Sequence, residues 1–241
     1  MFFAGYLAMT AWELSVCRVL PRKIAWMACH FSPYGQGLSD LPSRLPPGSM
    51  LILNDRTPVR GHDPETVARQ LRQAAEAANA ERVLLDFQIP GNPQTDKIIK
   101  AVLSVLPCPA AVSECCGKSL NCPVFLSPPP PHIPLARYLE PWHGREVWLD
   151  ISPGGEIITV TKAGSQITAG NLPEPQFCDS SLHCHYKTVL TQEAAEFHIF
   201  RTREDIAALQ QEAQALGVAC TVGLYQEWEN IGFSEHKKSG G

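Results

Sequence analysis

Charged residues are scarce in this chain of 241 residues, and basic residues are not in excess. Charged side chains make up 18% of the sequence, with 20 Lys and Arg against 24 Asp and Glu. No basic run is longer than two residues, so the clustered positive charge that binds nucleic-acid phosphates is missing. Global disorder is also excluded, because 44% of the residues are hydrophobic and the net charge is only -4. We therefore expect a globular protein with no nucleic-acid partner.

Long hydrophobic runs are lacking near the start of the sequence. The apolar segment over residues 2–12 ends before Glu13 and is shorter than the roughly 20 residues that cross a bilayer. A secretory signal carries its positive charge before the apolar core, whereas Arg18 and Lys23 follow this segment. We therefore expect a cytoplasmic protein without a membrane partner, in which residues 1–22 form an N-terminal extension of the folded domain.

The nine cysteines do not form a recognised metal-binding motif. No Cys-x-x-Cys pair occurs, and the odd number and irregular spacing differ from those of a secreted disulfide scaffold. Four cysteines lie close together at Cys108, Cys115, Cys116 and Cys122, but two adjacent cysteines do not easily face one tetrahedral metal. The sequence therefore predicts free thiols, no bound metal and no cofactor.

Short apolar segments that are typical of buried strands recur along the chain. Eight candidates for parallel strands lie near residues 24, 50, 82, 109, 123, 146, 196 and 218. No glycine-rich phosphate-binding loop follows any of them, which disfavours a doubly wound nucleotide-binding sheet. The pattern instead predicts an α/β fold, a compact and partly degenerate (β/α)8 TIM-like barrel, over residues 23–230. Residues 231–241 are expected to form a C-terminal tail.

Local signals predict helices outside this barrel and β-hairpins added to it. Capping residues that begin helices stand at Asp63-Pro64, Asn92-Pro93 and Thr202. The third helix is predicted to face the sheet with Ile206, Leu209 and Leu216. Alternation of polar and apolar residues predicts hairpins over residues 156–168 and 183–200.

The candidate functional residues are the polar side chains that follow the predicted strands. In parallel barrels the active site lies at the C-terminal ends of the strands, so residues at these ends are expected to meet at one mouth. Three acids are predicted to have catalytic roles, namely Asp86, Glu114 and Glu227. The predicted ligand-binding residues are His30, Asn54, Asp55, Arg56, Gln88, Asp150, Gln226 and Trp228.

The segment over residues 81–88 resembles the strand signature of chitinase-like barrels, glycoside hydrolase family 18. That signature ends in Asp-x-Asp-x-Glu, and Leu84, Asp86 and Gln88 stand at its three named positions. Asp86 therefore matches the last aspartate, whereas Gln88 replaces the glutamate that is the acid in the family. Trp228, after the last strand, is similar to the tryptophan that lies under the sugar in these barrels. The resemblance implies a TIM barrel that binds a small polar or carbohydrate-like ligand.

The glutamine at position 88 has a chemical consequence. A protonated glutamic acid can donate a proton to a glycosidic oxygen, whereas an amide has no proton of suitable pKa. Ordinary chitinase activity is therefore not expected. Two alternatives remain open: an active hydrolase in which Asp86 works with Glu114 or Glu227, and a protein-interaction module that uses the four consecutive prolines and the hairpins near 156–190. In the simplest interpretation, Asp86 and Gln88 only stabilise a strand end.

Two histidines are a further pattern with possible chemistry. His183 and His185 are two residues apart on a predicted strand, so their side chains face the same side. Together with Cys178 or Asp179 they would supply part of a metal site. Two histidines on a hairpin strand are more often solvent-facing partners, and no metal is predicted here.

Overall fold

A computed structural model of the protein describes residues 5–35, 37–170 and 174–229. Its strands are β1 (Tyr6–Met9), β2 (Ile24–Phe31), β3 (Leu38–Ser39), β4 (Met50–Asn54), β5 (Arg82–Asp86), β6 (Ala110–Ser113), β7 (Val124–Leu126), β8 (Val147–Asp150), β9 (Gly155–Thr161), β10 (Gly164–Gly170), β11 (Phe177–Asp179), β12 (Cys184–Leu190), β13 (Ala194–Phe200) and β14 (Cys220–Leu224). Its helices are α1 (Ala11–Val16), α2 (Pro64–Ala78), α3 (Pro93–Val105), α4 (Glu114–Gly117), α5 (Leu135–Leu139) and α6 (Arg203–Ala215), with a 3-10 turn at Glu140–Trp142. The predicted tail over residues 231–241 lies outside the described residues.

Eight parallel strands close into a barrel. Their order around the barrel is β1-β2-β4-β5-β6-β7-β8-β14, and β14 pairs with β1 to complete the circle. The helices lie between successive strands, and several of them are only one turn or two turns long. The predicted (β/α)8 TIM-like barrel is therefore confirmed. In particular, the strands predicted near residues 82 and 146 are parallel strands of this one sheet.

The structure differs from the predicted N-terminal extension over residues 1–22, because the first barrel strand lies inside it. All four residues of β1 are buried. Leu7 pairs with Gly223 on one side and with Ile24 on the other. These two neighbours satisfy the backbone of β1. Tyr6 and Ala8 face the barrel interior, whereas Leu7 packs in the apolar cluster under α6, so residues 6–9 form core on both faces of the sheet.

The strand predicted near residue 196 is also placed differently. It is β13, which pairs antiparallel with β9 and β12 in a second, five-stranded sheet of order β10-β9-β13-β12-β11. This sheet is inserted between β8 and β14, the seventh and eighth barrel strands, and we call it the inserted sheet. It contains both predicted hairpins. The strand near residue 196 is therefore not one of the eight barrel strands, and β1, between β14 and β2, makes up the number.

The capping signals place the longer helices as predicted. The Asp63 side chain accepts a hydrogen bond from the Thr66 amide at 2.9 Å and begins α2. The Asn92 side chain accepts one from the Gln94 amide at 3.0 Å and begins α3. Within the described ranges, no helix is both long enough and apolar enough to cross a membrane.

Large side chains fill the N-terminal end of the barrel. Tyr6 and Trp148 are fully buried, and the guanidinium of Arg82 lies 5.1 Å from the centroid of the Trp148 ring. The Tyr6 hydroxyl donates a hydrogen bond to Glu81 at 3.0 Å, and the Trp148 indole donates one to Glu146 at 2.8 Å. These side chains close the barrel interior at this end.

Helix α6 packs against the barrel beside β8 with part of the face that the sequence predicts. Ile206 and Leu209 are buried and contact Leu149 and Val218 in one apolar cluster. The prediction for Leu216 is wrong, since this side chain is 45% exposed. The helix ends at Ala215 and Leu216 is its C-cap residue, so the chain turns away from the sheet there.

We expect Leu209→Ala to lower the free energy of unfolding by about 2–5 kcal/mol, because it leaves a cavity in this cluster. Leu216→Ala is the matched control in the same helix and is expected to lower it by less than about 1 kcal/mol. Denaturant melts of the two variants measure both effects. Equal losses would contradict the packing described here.

Candidate functional site

A cleft of about 820 Å³ opens at the C-terminal ends of β2, β4 and β5. It contains six of the predicted site residues, namely His30, Asn54, Asp55, Arg56, Asp86 and Gln88. It is also lined by Thr10, Met27, Ala28 and Thr57, which the sequence did not single out. Thr10 is in the segment predicted as an extension, so its position follows only from the placement of β1.

Asp86 is the last residue of β5 and is held by two side chains. Its Oδ1 atom accepts a hydrogen bond from the Ser113 hydroxyl at 2.9 Å and another from the Gln88 side-chain amide. Burial raises the pKa of the Asp86 carboxyl, the two hydrogen bonds lower it, and the charge of Asp55 raises it again, so that the pKa lies above its ordinary value. Asp86 is thus an oriented acceptor at the base of the cleft.

Gln88 keeps a contact to Asp86 but brings no acid to it. Its side-chain nitrogen donates a hydrogen bond to the Asp86 carboxyl. An amide N–H is too weak an acid to be transferred as a proton in catalysis. The backbone at this point is fixed by Asp55, whose carboxylate accepts the amide hydrogens of Gln88 at 3.1 Å and Ile89 at 3.0 Å. Asp55 therefore has a structural role in shaping the loop after β5, in addition to lining the cleft.

The other cleft residues are oriented by neighbouring backbone. His30 Nδ1 lies 2.7 Å from the carbonyl oxygen of Ala28, and its Nε2 lies 3.3 Å from the carboxylate of Asp40. The Asn54 side chain donates to the Met27 carbonyl at 3.4 Å and accepts from the Arg56 amide at 3.1 Å. The imidazole and the side-chain amide are consequently held near the cleft wall.

A second group of acids lies around Asp150, the last residue of β8. The pKa of the Asp150 carboxyl is raised to about 7. Burial is the largest cause, and the charges of Glu227 and Asp86 contribute as well. Glu227 accepts a hydrogen bond from the Ser152 hydroxyl at 2.9 Å. The pKa of Asp150 thus depends on the charges of two predicted catalytic acids, Glu227 and Asp86.

The third predicted catalytic acid, Glu114, is joined to this region through Ser127. The Ser127 hydroxyl donates to Glu114 at 2.9 Å, and the hydroxyl of Tyr138 donates to the Ser127 carbonyl at 2.9 Å. Burial raises the pKa of Tyr138, and the charges of Glu114 and Asp150 add to this effect. No local pattern distinguishes Tyr138, because it comes from a short helix and not from a strand end.

Three predicted ligand-binding residues do not line the Asp86 cleft, namely Asp150, Gln226 and Trp228. Gln226 lines a separate cleft of about 770 Å³ beside α1, together with Trp12 and Tyr225. The Trp228 ring is covered by the guanidinium of Arg203, which lies 5.0 Å from the ring centroid. Trp228 also packs against the apolar cluster under α6, so it does not form the floor of the Asp86 cleft.

The fold is similar to those of solved bacterial enzymes. The spore cortex-lytic enzyme SleL from Bacillus cereus has a TM-score of 0.56 and 10% identity, over 94% of this chain and 72% of that one. A chitinase from Chromobacterium violaceum has a TM-score of 0.55 and 9% identity, over 91% of this chain and 93% of that one. SleL from Bacillus megaterium has a TM-score of 0.50 and 10% identity, over 94% of this chain and 72% of that one.

No family model and no curated protein sequence matches the chain. At identities near one residue in ten, the structural likeness establishes the fold alone. The resemblance to chitinase-like barrels that residues 81–88 carry is therefore confirmed at the level of the barrel. The ligand and any reaction have to be argued from the geometry of the site.

The environment of Asp150 predicts a pH dependence of stability. The folded protein keeps the Asp150 proton up to about pH 7, whereas the unfolded chain releases it near the ordinary pKa of 3.8. The folded state binds more protons between these values, so Asp150 makes the free energy of unfolding fall as the pH rises through this window. Asp150→Asn is neutral at every pH and should stabilise the protein above pH 7 by up to about 4 kcal/mol.

Urea melts of wild type and Asp150→Asn across pH 4–8 measure this effect. The difference between the two proteins is expected to be small at the acidic end and to grow until about pH 7. A difference that does not change with pH would contradict the burial of Asp150 among these acids.

Proposed function

We propose that this protein binds a carbohydrate in the cleft at the barrel mouth and does not cleave it through position 88. The proposal rests on the arrangement of Asp86 at the end of β5. Its Oδ1 accepts hydrogen bonds from the side chains of Ser113 and Gln88. Gln88 is hydrogen-bonded to Asp86, but its amide cannot supply the proton that cleavage of a glycosidic bond needs.

The size and polarity of the cleft support a sugar as its ligand. A volume of about 820 Å³ lies in the range of roughly 300–1,000 Å³ that is usual for small-molecule sites. Its walls carry two carboxylates, two side-chain amides, a guanidinium and an imidazole, which can bind hydroxyl groups as donors and acceptors. The cleft is open, which favours a small ligand over the protein-interaction module. Because a structural neighbour is a chitinase, chito-oligosaccharides are the ligands to test first.

One observation favours a second candidate function, an active hydrolase. Asp150 has a pKa of about 7, and a carboxyl that stays protonated near neutral pH can serve as a general acid. It lies within electrostatic range of Asp86 and Glu227. In this candidate Asp150, and not Glu114 or Glu227 as the sequence suggests, supplies the proton.

We expect chito-oligosaccharides to bind to wild type and to lose at least about tenfold in affinity in Asp86→Ala, because a hydrogen bond to a charged acceptor is removed. Glu193→Ala is the matched control, since this acid lies on an exposed turn of the inserted sheet. Calorimetry and thermal shift across a carbohydrate panel provide the measurement. If no sugar stabilises wild type, carbohydrate binding is not the function.

We expect Gln88→Glu to gain hydrolysis of chito-oligosaccharides, because it places a carboxyl beside Asp86, while wild type shows none. The double variant Gln88→Glu with Asp86→Asn should lose this gain. Product formation by wild type, each variant and Asp150→Asn is measured in parallel. Hydrolysis by wild type that disappears in Asp150→Asn would contradict the binding proposal and establish the second candidate.

A further inference from the structure

We propose a zinc site, formed by Cys178, His185 and Asp205, where the inserted sheet meets α6. One candidate ligand atom from each of these residues lies within 4.8 Å of the other two. In the part of the chain that the structure describes, this is the only group of three histidine, cysteine or acidic residues that meets this criterion. None of the three residues lines the Asp86 cleft, so the inference is independent of the proposed function.

Strand pairing and helix capping bring the three residues together. Cys178 on β11 stands directly opposite His185 on β12 in the antiparallel register, which puts both side chains on the same face of the sheet. Asp205 is the third residue of α6 and part of its capping box with Thr202. His185 Nδ1 lies 2.6 Å from Asp205 Oδ2, so the inserted sheet contacts the start of the helix at this point.

The three ligand types are those that zinc prefers. Thiolate, imidazole and carboxylate all bind Zn²⁺, and a site with three protein ligands leaves the fourth tetrahedral position to water. Asp205 Oδ2 already accepts hydrogen bonds from the Thr202 amide at 2.8 Å and hydroxyl at 2.9 Å, besides its contact with His185. Its Oδ1 takes none of these three bonds, so the carboxylate keeps an oxygen that can bind a metal.

Binding requires only small movements and releases protons. Zinc–ligand bonds of roughly 2.0–2.3 Å bring the ligand atoms of a tetrahedral site to less than about 4 Å from one another. The Cys178 side chain is exposed and can rotate to reach that distance. The thiol proton of Cys178 passes to solvent when the thiolate binds, and any proton that His185 holds at the ligating nitrogen is released in the same way.

A second histidine–carboxylate pair, His183 and Glu212, lies between the inserted sheet and α6. His183 Nε2 lies 2.7 Å from Glu212 Oε2, and this pair also joins the start of β12 to α6. A histidine and a carboxylate thus meet across the sheet and the helix at this second point, and among the described residues no cysteine is grouped with them. Cys178 adds a third ligand at only one of the two pairs, and that difference separates a metal site from a structural contact.

The test is direct titration of the chelator-treated, reduced protein with Zn²⁺, followed by calorimetry and by metal analysis after gel filtration. We expect one zinc per chain in wild type and at least a tenfold loss of affinity in Cys178→Ser and in His185→Ala. His183→Ala and Cys115→Ser are the matched controls, since they remove a similar contact and another exposed thiol, and both should bind zinc like wild type.

A cobalt titration provides a second readout that does not depend on stability. Co²⁺ bound to a thiolate gives a sulfur-to-metal charge-transfer band, which we expect in wild type and in Cys115→Ser but not in Cys178→Ser. Failure of wild type to bind one equivalent of zinc would overturn the proposal. Zinc binding and a cobalt–thiolate band that persist in Cys178→Ser would overturn it as well, because they would locate the metal at another cysteine.

Discussion

The backbone pairing of β1 with both β2 and β14 is the constraint on which the rest of the structure depends. These hydrogen bonds join the first strand to the second and to the last, and without them the sheet would be open with two exposed edges. Closure buries Tyr6 and Ala8 inside the barrel. It also directs the C-terminal ends of all eight strands to one mouth, so residues that are far apart in the sequence become neighbours.

The chemistry of the mouth follows from placing several acids at strand ends, where burial and neighbouring charges disfavour their ionised forms. Asp86 and Asp150 both have raised pKa values, because each is buried and each lies near another carboxyl group. Hydrogen bonds from Ser113 and Gln88 partly offset this at Asp86. The two carboxyls therefore differ in environment: one is an oriented acceptor and the other keeps its proton to about neutral pH. Gln88 donates a hydrogen bond to Asp86 and, being uncharged, adds no further negative charge to this region.

The inserted sheet is attached to the barrel by polar contacts that its own sequence does not reveal. The Arg201 guanidinium is buried and donates to the Pro129 carbonyl at 2.9 Å, in the stretch of four prolines after β7. His132 lies 3.0 Å from Glu156 of β9, and His185 contacts Asp205 of α6. Each contact links the sheet to a barrel loop or helix. The insertion is thus held in a defined position, as a metal site shared between the sheet and α6 requires.

The sequence by itself determined the elements whose signals are local. The caps at Asp63 and Asn92 begin α2 and α3, the alternation over residues 156–168 forms a hairpin, and the polar residues after β4 and β5 meet in one cleft. Only the tertiary structure decided that residues 6–9 are a core strand, that the strand at residue 196 leaves the barrel, and that Trp228 turns under Arg203. An apolar segment is compatible with several positions in a sheet, and its partners can lie at the other end of the chain, as Gly223 does for Leu7. The choice among them depends on which arrangement closes the barrel and satisfies every backbone group.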